Sequence, residues 1–184
     1  MALEQEKIVS NTKKYFDSLS KLGIETEKLI TYLGDDLIKS SAYATNNMPN
    51  VFEGGLIDFS LNVTKNLVSL NGILPDDKKI EKNTLVKVGL LFSIGKAKLY
   101  IPNKSEWHVK NQGQVYTYDE SLVSMRIGQR SLYYCLINGI HLTEEEVQAI
   151  VYHDVDDDKM VKGYSSNLSR LLKMAIELTV IEKK

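Results

Sequence analysis

The sequence is poor in the residues that mark disulfide-stabilised or membrane-spanning proteins. Among its 184 residues are one cysteine, Cys135, and three prolines. A single thiol cannot form an internal disulfide bond, so the composition does not indicate an oxidising compartment. No apolar run approaches the length that crosses a bilayer, and the charged N-terminus lacks the apolar stretch of a signal peptide. We therefore expect a protein of the cytoplasm that makes no membrane contact.

The sequence also has no excess of charge of one sign. It contains 23 Lys and Arg residues against 24 Asp and Glu residues, and its formal net charge is −1. Neutralising a phosphate backbone requires a basic surface, so the charge balance disfavours generic nucleic-acid binding and leaves room only for a local basic patch. With 43% hydrophobic and 26% charged residues, the composition is typical of one globular domain with a substantial core.

Apolar side chains recur at helical spacing along most of the chain. The pattern predicts helices over residues 4–22, 25–46, 56–72, 83–95, 120–138, 143–153 and 164–181. The stretch 83–95 is apolar on most sides, which predicts a helix in the middle of the fold. Thr143, followed three residues later by Glu146, predicts a capping box at the start of its helix.

One segment between residues 100 and 118 does not follow this helical pattern. Two short pieces rich in β-favouring residues, around 107–109 and 115–118, flank the turn-forming residues 111–113. The sequence therefore predicts an all-α fold, a helical bundle with one small β-hairpin insertion.

Two further segments carry the pattern of an enzyme family. Residues 54–63, GGLIDFSLNV, resemble the signature GGL-x-x-H-S-L-x-V, and residues 90–96, LLFSIGK, resemble L-L-H-D-I-G-K. Both signatures belong to the HD-domain metal-dependent phosphohydrolases. Phe59 and Phe92 stand where that family has metal-binding histidines, and Ser93 stands in place of the aspartate of its HD doublet. The chain resembles a degenerate HD-domain protein, similar to those of bacteria and large phages.

The resemblance continues towards the C-terminus. Residues 125–131 resemble L-G-H-G-E-K-S, with Ile127 in place of a further histidine. Residues 149–153 resemble A-I-x-W-H, so that His153 is a retained family histidine. Ile176 replaces the last metal-binding aspartate, and Asn50 aligns in a loop with one more histidine.

The resemblance implies an arrangement of the chain and of its former centre. Residues 42–182 form the HD-like domain, and residues 1–41 form a helical extension packed on it, within a single domain overall. A metal-activated water needs several nitrogen and oxygen ligands around a divalent ion. Because those ligands are replaced, we expect no metal and no cofactor, and a former metal cavity filled by two phenyl rings and two isoleucines.

The leading hypothesis is a catalytically inactive pseudoenzyme, retained as a protein-binding or structural module. Its partner is expected to be another protein, and its location the cytoplasm, or the virion if a phage encodes it. We expect the contact surface at the hairpin, formed by Trp107, Gln112, Tyr116 and Tyr118. Nothing in the sequence indicates an oligomeric state.

Two alternatives stay open. A regulator could hold a nucleotide without cleaving it through Lys96, Arg126, Arg130 and His153, with Lys96 expected at the surface. A working enzyme could instead have a rebuilt site around Asp58, His153 and the acidic residues 154–158. The helical geometry disfavours this enzyme, because Asp58 points about a hundred degrees away from Phe59.

Overall fold

Eight α-helices and one two-stranded antiparallel sheet build the part of the protein that our computed structural model describes, residues 5–155 and 165–183. The helices are α1 (Gln5–Lys21), α2 (Thr26–Ile38), α3 (Gly55–Gly72), α4 (Lys82–Leu91), α5 (Glu106–Gln112), α6 (Ile127–Ile137), α7 (Glu144–Tyr152) and α8 (Asn167–Lys183). The strands are β1 (Tyr100–Pro102) and β2 (Tyr116–Tyr118). The prediction of an all-α fold with a small β element is confirmed. None of the described helices combines the length and apolarity that a bilayer crossing requires.

Helices α3 and α4 lie at the centre, as the apolar pattern of residues 83–95 predicts. Helix α4 packs against α1, α3, α7 and α8, and α3 also packs against α8. Their fully buried side chains include Leu67 on α3 and Leu85 and Val88 on α4. Removing such side chains from water is the main favourable contribution to the fold, about 1.5–3 kcal/mol for each one.

The first two helices belong to the same core. Tyr15 and Leu19 of α1 and Leu29 and Leu33 of α2 are buried in one cluster with the residues of α3 and α4. The Tyr15 hydroxyl donates a hydrogen bond of 2.7 Å to the carbonyl oxygen of Leu90. The N-terminal helices therefore pack directly on the centre, while a domain boundary at residue 41 stays a prediction.

Glycines in and next to the segments that resemble the family allow neighbouring backbones to approach closely. A Cβ on Gly95 would collide with the carbonyl oxygen of Ile127, and one on Gly128 would lie 2.5 Å from the carbonyl oxygen of Ile150. Within α4, a Cβ on Gly89 would lie 2.5 Å from Thr64 Oγ1 on α3. These distances are far below van der Waals contact, so packing alone accounts for the glycines.

The insertion between residues 100 and 118 differs from the predicted hairpin. Strand β1 pairs with β2 in the register Tyr100 with Tyr118, and helix α5 lies between them. The expected first strand around residues 107–109 is therefore wrong, because those residues are helical. Ser105 Oγ accepts a hydrogen bond from the amide of His108 at the start of α5, and Gly113 ends the helix with a φ of 63°.

Several helix boundaries also differ from the predictions. The helix expected over residues 120–138 begins only at Ile127, since Asp119 accepts a hydrogen bond from the Ser121 amide and starts a turn. The helix expected over 25–46 ends at Ile38, and the chain after it pairs with the insertion through Ala44 and Tyr116. The predicted capping box of α7 is confirmed by reciprocal hydrogen bonds.

Alanine at the first residue of α3 should destabilise the protein, whereas alanine at its last residue should not. A Cβ on Gly55 would collide with the carbonyl oxygen of Asn50, while one on Gly72 would meet no described atom within 4 Å. We expect Gly55→Ala to lower the free energy of unfolding by about 1–3 kcal/mol and Gly72→Ala to leave it unchanged or raise it by up to about 1 kcal/mol. Urea denaturation followed by circular dichroism measures both, and equal stabilities of the two variants would contradict this packing.

Candidate functional site

The positions that align with metal ligands come together where α3 meets the end of α4. Phe59 and Phe92 are both buried, and their ring centroids lie 6.4 Å apart. His153 stands edge-on to Phe92 at 5.0 Å, and Tyr43 stands edge-on to Phe59 at 5.3 Å. We call these four residues the aromatic cluster. The structure thus brings three of the sequence-derived site residues together and adds Tyr43.

Ser93, which aligns with the doublet aspartate, is fully buried beside this cluster. Its hydroxyl lies 3.1 Å from that of Ser60, and the Ser60 hydroxyl lies 2.9 Å from the carbonyl oxygen of Leu56. A carbonyl oxygen can only accept, so Ser60 donates to Leu56 and Ser93 donates to Ser60. The Ser93 side chain is therefore a neutral group held in a hydrogen-bonded chain.

Lys96 is buried, so the expectation of a surface lysine is wrong. Its side chain is only 4% exposed, and its Nζ donates a hydrogen bond of 2.7 Å to the carbonyl oxygen of Ala42. The same nitrogen lies 3.9 Å from the ring centroid of Tyr43 and 5.6 Å from that of Phe59. Burial lowers the pKa of Lys96 to about 7, an effect that the charge of Asp154 partly opposes.

His153, which aligns with a family histidine, is hydrogen-bonded to the backbone of α7. His153 follows the last turn of α7, is half-buried, and its Nδ1 lies 2.7 Å from the carbonyl oxygen of Ile150. Because a carbonyl oxygen only accepts, we assign the proton to Nδ1. Burial holds the pKa of His153 below its usual range. The charges of Lys96 and Lys173 also lower it, while the hydrogen bond to Ile150 and the charge of Asp154 oppose the shift. The ring is therefore neutral at pH 7.

The two isoleucines contribute less to this centre than the sequence suggests. Ile127 and Ile176 are both half-buried, and Ile176 packs at the edge of the main core. Ile127 lines a pocket at the start of α6 instead. The interior where α3 meets the end of α4 thus consists of aromatic rings, the Ser93 hydroxyl and the Lys96 amine.

These groups do not fit a divalent metal. Phe59, Phe92 and Ile176 offer carbon, and the Ser93 hydroxyl is a weak neutral ligand compared with a carboxylate. A protonated Lys96 would also repel a second cation at close range. Within residues 5–155 and 165–183, no three His, Cys, Asp or Glu side chains are grouped so that they could hold a metal ion.

Asp58 lies in a different environment from its neighbour Phe59. Its carboxylate accepts hydrogen bonds from the side-chain amides of Asn50 at 2.7 Å, Asn11 at 3.0 Å and Asn62 at 3.2 Å. Asn50, which aligns with a family histidine, has a φ of 57° and holds this carboxylate. Three side-chain amides thus donate hydrogen bonds to Asp58, the carboxylate of the predicted rebuilt enzyme site. The acidic residues 156–158 of that prediction lie outside the described residues.

The candidate ligand residues separate into two groups. Arg126 and Arg130 line a pocket of about 570 Å³ between β2, the connection 119–126 and the first turn of α6. Lys96 and His153 are not among its described lining residues, although Asp154, which follows His153, is. The structure therefore brings together two of the four residues predicted to bind a nucleotide.

Not all of the residues predicted to contact a partner are exposed to solvent. Trp107 on α5 is 59% exposed, Tyr118 on β2 is 56% exposed, and Gln112 is exposed. Tyr116 is half-buried and lines a separate cavity of about 520 Å³. The exposed surface thus comprises three of the four predicted residues.

Two serines without a predicted role, Ser60 and Ser131, belong to this centre. Ser60 accepts from Ser93, and Ser131 Oγ donates to the carbonyl oxygen of Phe92 and accepts from the amide of Gly95. Both serines are part of the segments that resemble the family, which is the signal that could have identified them. Tyr43 lies in a segment that the apolar pattern predicted to be helical, outside the two signatures, and carries no comparable signal.

Comparisons with protein-family models, with curated proteins and with solved structures found no match to this chain. The relationship to HD-domain proteins therefore stays a prediction that rests on the resemblance of the two sequence segments.

Replacing Lys96 by methionine should remove a pH dependence of stability. In the unfolded chain the lysine has a pKa near its ordinary value of 10.5, whereas the folded value is about 7. Between these pH values the unfolded state binds a proton that the folded state lacks, so raising the pH favours folding. The free energy of unfolding of the wild type should rise by up to about 1.4 kcal/mol per pH unit relative to Lys96→Met.

Urea denaturation at a series of pH values between neutral and mildly alkaline measures this difference. Lys65→Met, which removes an exposed lysine from α3, serves as the control and should follow the wild-type pH profile. Parallel profiles for the wild type and Lys96→Met would show that Lys96 titrates normally in the folded protein.

Proposed function

We propose that this chain is a degenerate HD-domain protein that has lost its metal centre and acts as a protein-binding or structural module. The observation that carries the proposal is the buried amine of Lys96, which lies 3.9 Å from the ring centroid of Tyr43 and 5.6 Å from that of Phe59. This amine lies beside the aromatic cluster that contains Phe59 and Phe92, the positions that align with metal-binding histidines of the family.

The chemistry of the family requires what these residues no longer provide. A divalent ion that activates water needs several nitrogen or oxygen ligands and an open coordination position. Phe59 and Phe92 supply packing surface instead, and the loss of buried carboxylates removes their desolvation cost. A protein with this centre is suited to a stable scaffold rather than to hydrolysis.

A protein partner fits the surface better than a nucleic acid does. The net charge of −1 gives little attraction to phosphates, whereas exposed aromatic residues are enriched where proteins bind one another. Trp107 and Tyr118 lie on the insertion, which projects two large exposed rings. A scaffold of this kind would act in the cytoplasm or, if a phage encodes it, in the virion.

A non-hydrolysing nucleotide-binding regulator is the second candidate function. The pocket at the start of α6 supports it, because Arg126 and Arg130 both line this cavity of about 570 Å³. A pocket of this volume is typical for small organic ligands. Thermal-shift measurements with nucleotides test this candidate, since a ligand that binds only the folded state raises the melting temperature.

The purified protein should contain no stoichiometric iron, manganese or zinc. We expect no metal-dependent hydrolysis of phosphomonoesters and no change in melting temperature on addition of a chelator, because Phe59, Phe92 and Ile176 offer no ligand. Elemental analysis measures the metal content, a phosphate-release assay measures the hydrolysis, and differential scanning fluorimetry measures the melting temperature. The matched comparison is a variant that restores the aligned ligands, Phe59→His with Phe92→His, Ser93→Asp and Ile176→Asp. A stoichiometric metal in the wild type, with activity that chelation abolishes, would refute the proposal.

Substitution of the exposed insertion residues should prevent binding to the protein partner. We expect Trp107→Ala combined with Gln112→Ala to reduce capture of the partner from native cells by at least about tenfold, because exposed aromatic anchors contribute most of the affinity at such contacts. The control is Val9→Ala, which truncates an exposed apolar side chain on α1. Melting temperatures establish that each variant is folded, and unchanged capture by the double variant would exclude this surface.

A further inference from the structure

The pocket at the start of α6 contains a buried guanidinium with unused hydrogen-bonding capacity. Arg130 lines the pocket, yet its side chain is only 5% exposed. Its Nη2 donates a hydrogen bond of 2.6 Å to the carbonyl oxygen of Val123. Its Nε is buried and has no hydrogen-bond partner among the described residues. A buried donor without a partner costs about 1–3 kcal/mol, which a ligand that supplies an acceptor would recover.

In the described part of the chain, the positive charge of Arg130 has no ion-pair partner. None of the ion pairs within residues 5–155 and 165–183 includes it. Arg126 adds a second guanidinium at the entrance, just before the first turn of α6. The N-terminal end of a helix carries a partial positive charge, so all three features favour a negatively charged group at this end of the pocket.

Acidic residues stand at the rim of the same pocket. Glu120 and Asp154 are exposed, and the Asp119 carboxylate accepts a hydrogen bond from the backbone amide of Ser121. Solvent weakens the field of exposed charges more than that of a buried one, so Arg130 dominates the interior. The rim instead repels a ligand that carries several negative charges.

The remaining wall is apolar. Leu99, Leu122, Met125 and Ile127 line it together with the exposed ring of Tyr118. Such a wall accommodates a hydrocarbon or aromatic group, and methionine adapts to groups of different shape. The volume of about 570 Å³ is within the range of cavities that hold small organic molecules.

We propose that this pocket binds a small organic anion with a single carboxylate or phosphomonoester head and an apolar or aromatic body. The head lies against Arg130 and Arg126, and the body lies against Met125 and Tyr118. The acidic rim excludes polyphosphates. A nucleotide with one phosphate satisfies this description, whereas a triphosphate does not. The proposal therefore restricts the nucleotide-binding candidate to monophosphates, and it does not depend on whether the chain is a protein-binding module.

Isothermal titration calorimetry with phenyl phosphate and phenylacetate tests the site. We expect at least one of these probes to bind about tenfold or more tightly than inorganic phosphate, which lacks the body, and benzyl alcohol, which lacks the charged head. ATP should bind more weakly than phenyl phosphate because of the acidic rim. The tighter of the two probes identifies the chemistry of the head.

Charge variants locate the binding. Arg126→Gln should weaken binding of the tighter probe by about fivefold to tenfold, because it removes one charge-assisted hydrogen bond. Asp154→Asn should strengthen binding, because it removes a negative charge from the rim. Arg130→Lys keeps the positive charge but loses the planar guanidinium with its several N–H donors, so it should also weaken binding. Arg170→Gln, which removes an exposed arginine from α8, is the control and should bind as the wild type does.

Three results would overturn the proposal. The first is no binding of either probe at millimolar concentration. The second is equal affinity for inorganic phosphate, which would indicate a bare anion site. The third is an Arg126→Gln variant that binds as Arg170→Gln does, which would place the binding elsewhere. The metal analysis does not involve this pocket, so either proposal can fail while the other stands.

Discussion

The centre of this protein depends on how residues 92–97 pass between the surrounding helices. The first carbonyl oxygen of this segment accepts a hydrogen bond from Ser131 of α6, and the amide of Gly95 donates to the same hydroxyl. On the opposite side, the carbonyl oxygen of Lys96 accepts a hydrogen bond from Ser40, which follows α2. The segment thus fixes α6 and the chain after α2 relative to α4. This arrangement directs the lysine side chain into the interior.

A positive charge inside an apolar centre is tolerated only when other groups replace the lost water. For Lys96 these groups are the carbonyl oxygen of Ala42 and the face of the Tyr43 ring, with Phe59 further away. A cation over an aromatic ring gains about 0.5–2 kcal/mol, whereas burial lowers the pKa of Lys96 to about 7. The same amine would oppose the entry of a metal ion, which links the stability of the core to the proposed loss of catalysis.

The sequence predicted the helical elements well because their apolar periodicity is strong, and it predicted the insertion less well because local signals conflict. Trp107 and its neighbours favour strands by composition, yet Ser105 and Gly113 are the cap residues of a short helix. The burial of Lys96 could not be predicted, since lysines are almost never buried and Ala42 lies far away in the sequence. The role of Arg130 likewise depends on Val123 and the connection before α6, which the sequence suggested was helical.

The position of Trp107 has a practical consequence for spectroscopy. It is the only tryptophan in the sequence, it lies on the short helix α5, and most of its ring is in water. Indole fluorescence therefore reports on the insertion alone and is insensitive to events among the aromatic rings of the interior. An emission shift towards the blue would mark the moment at which another molecule covers α5, without any label attached to the protein.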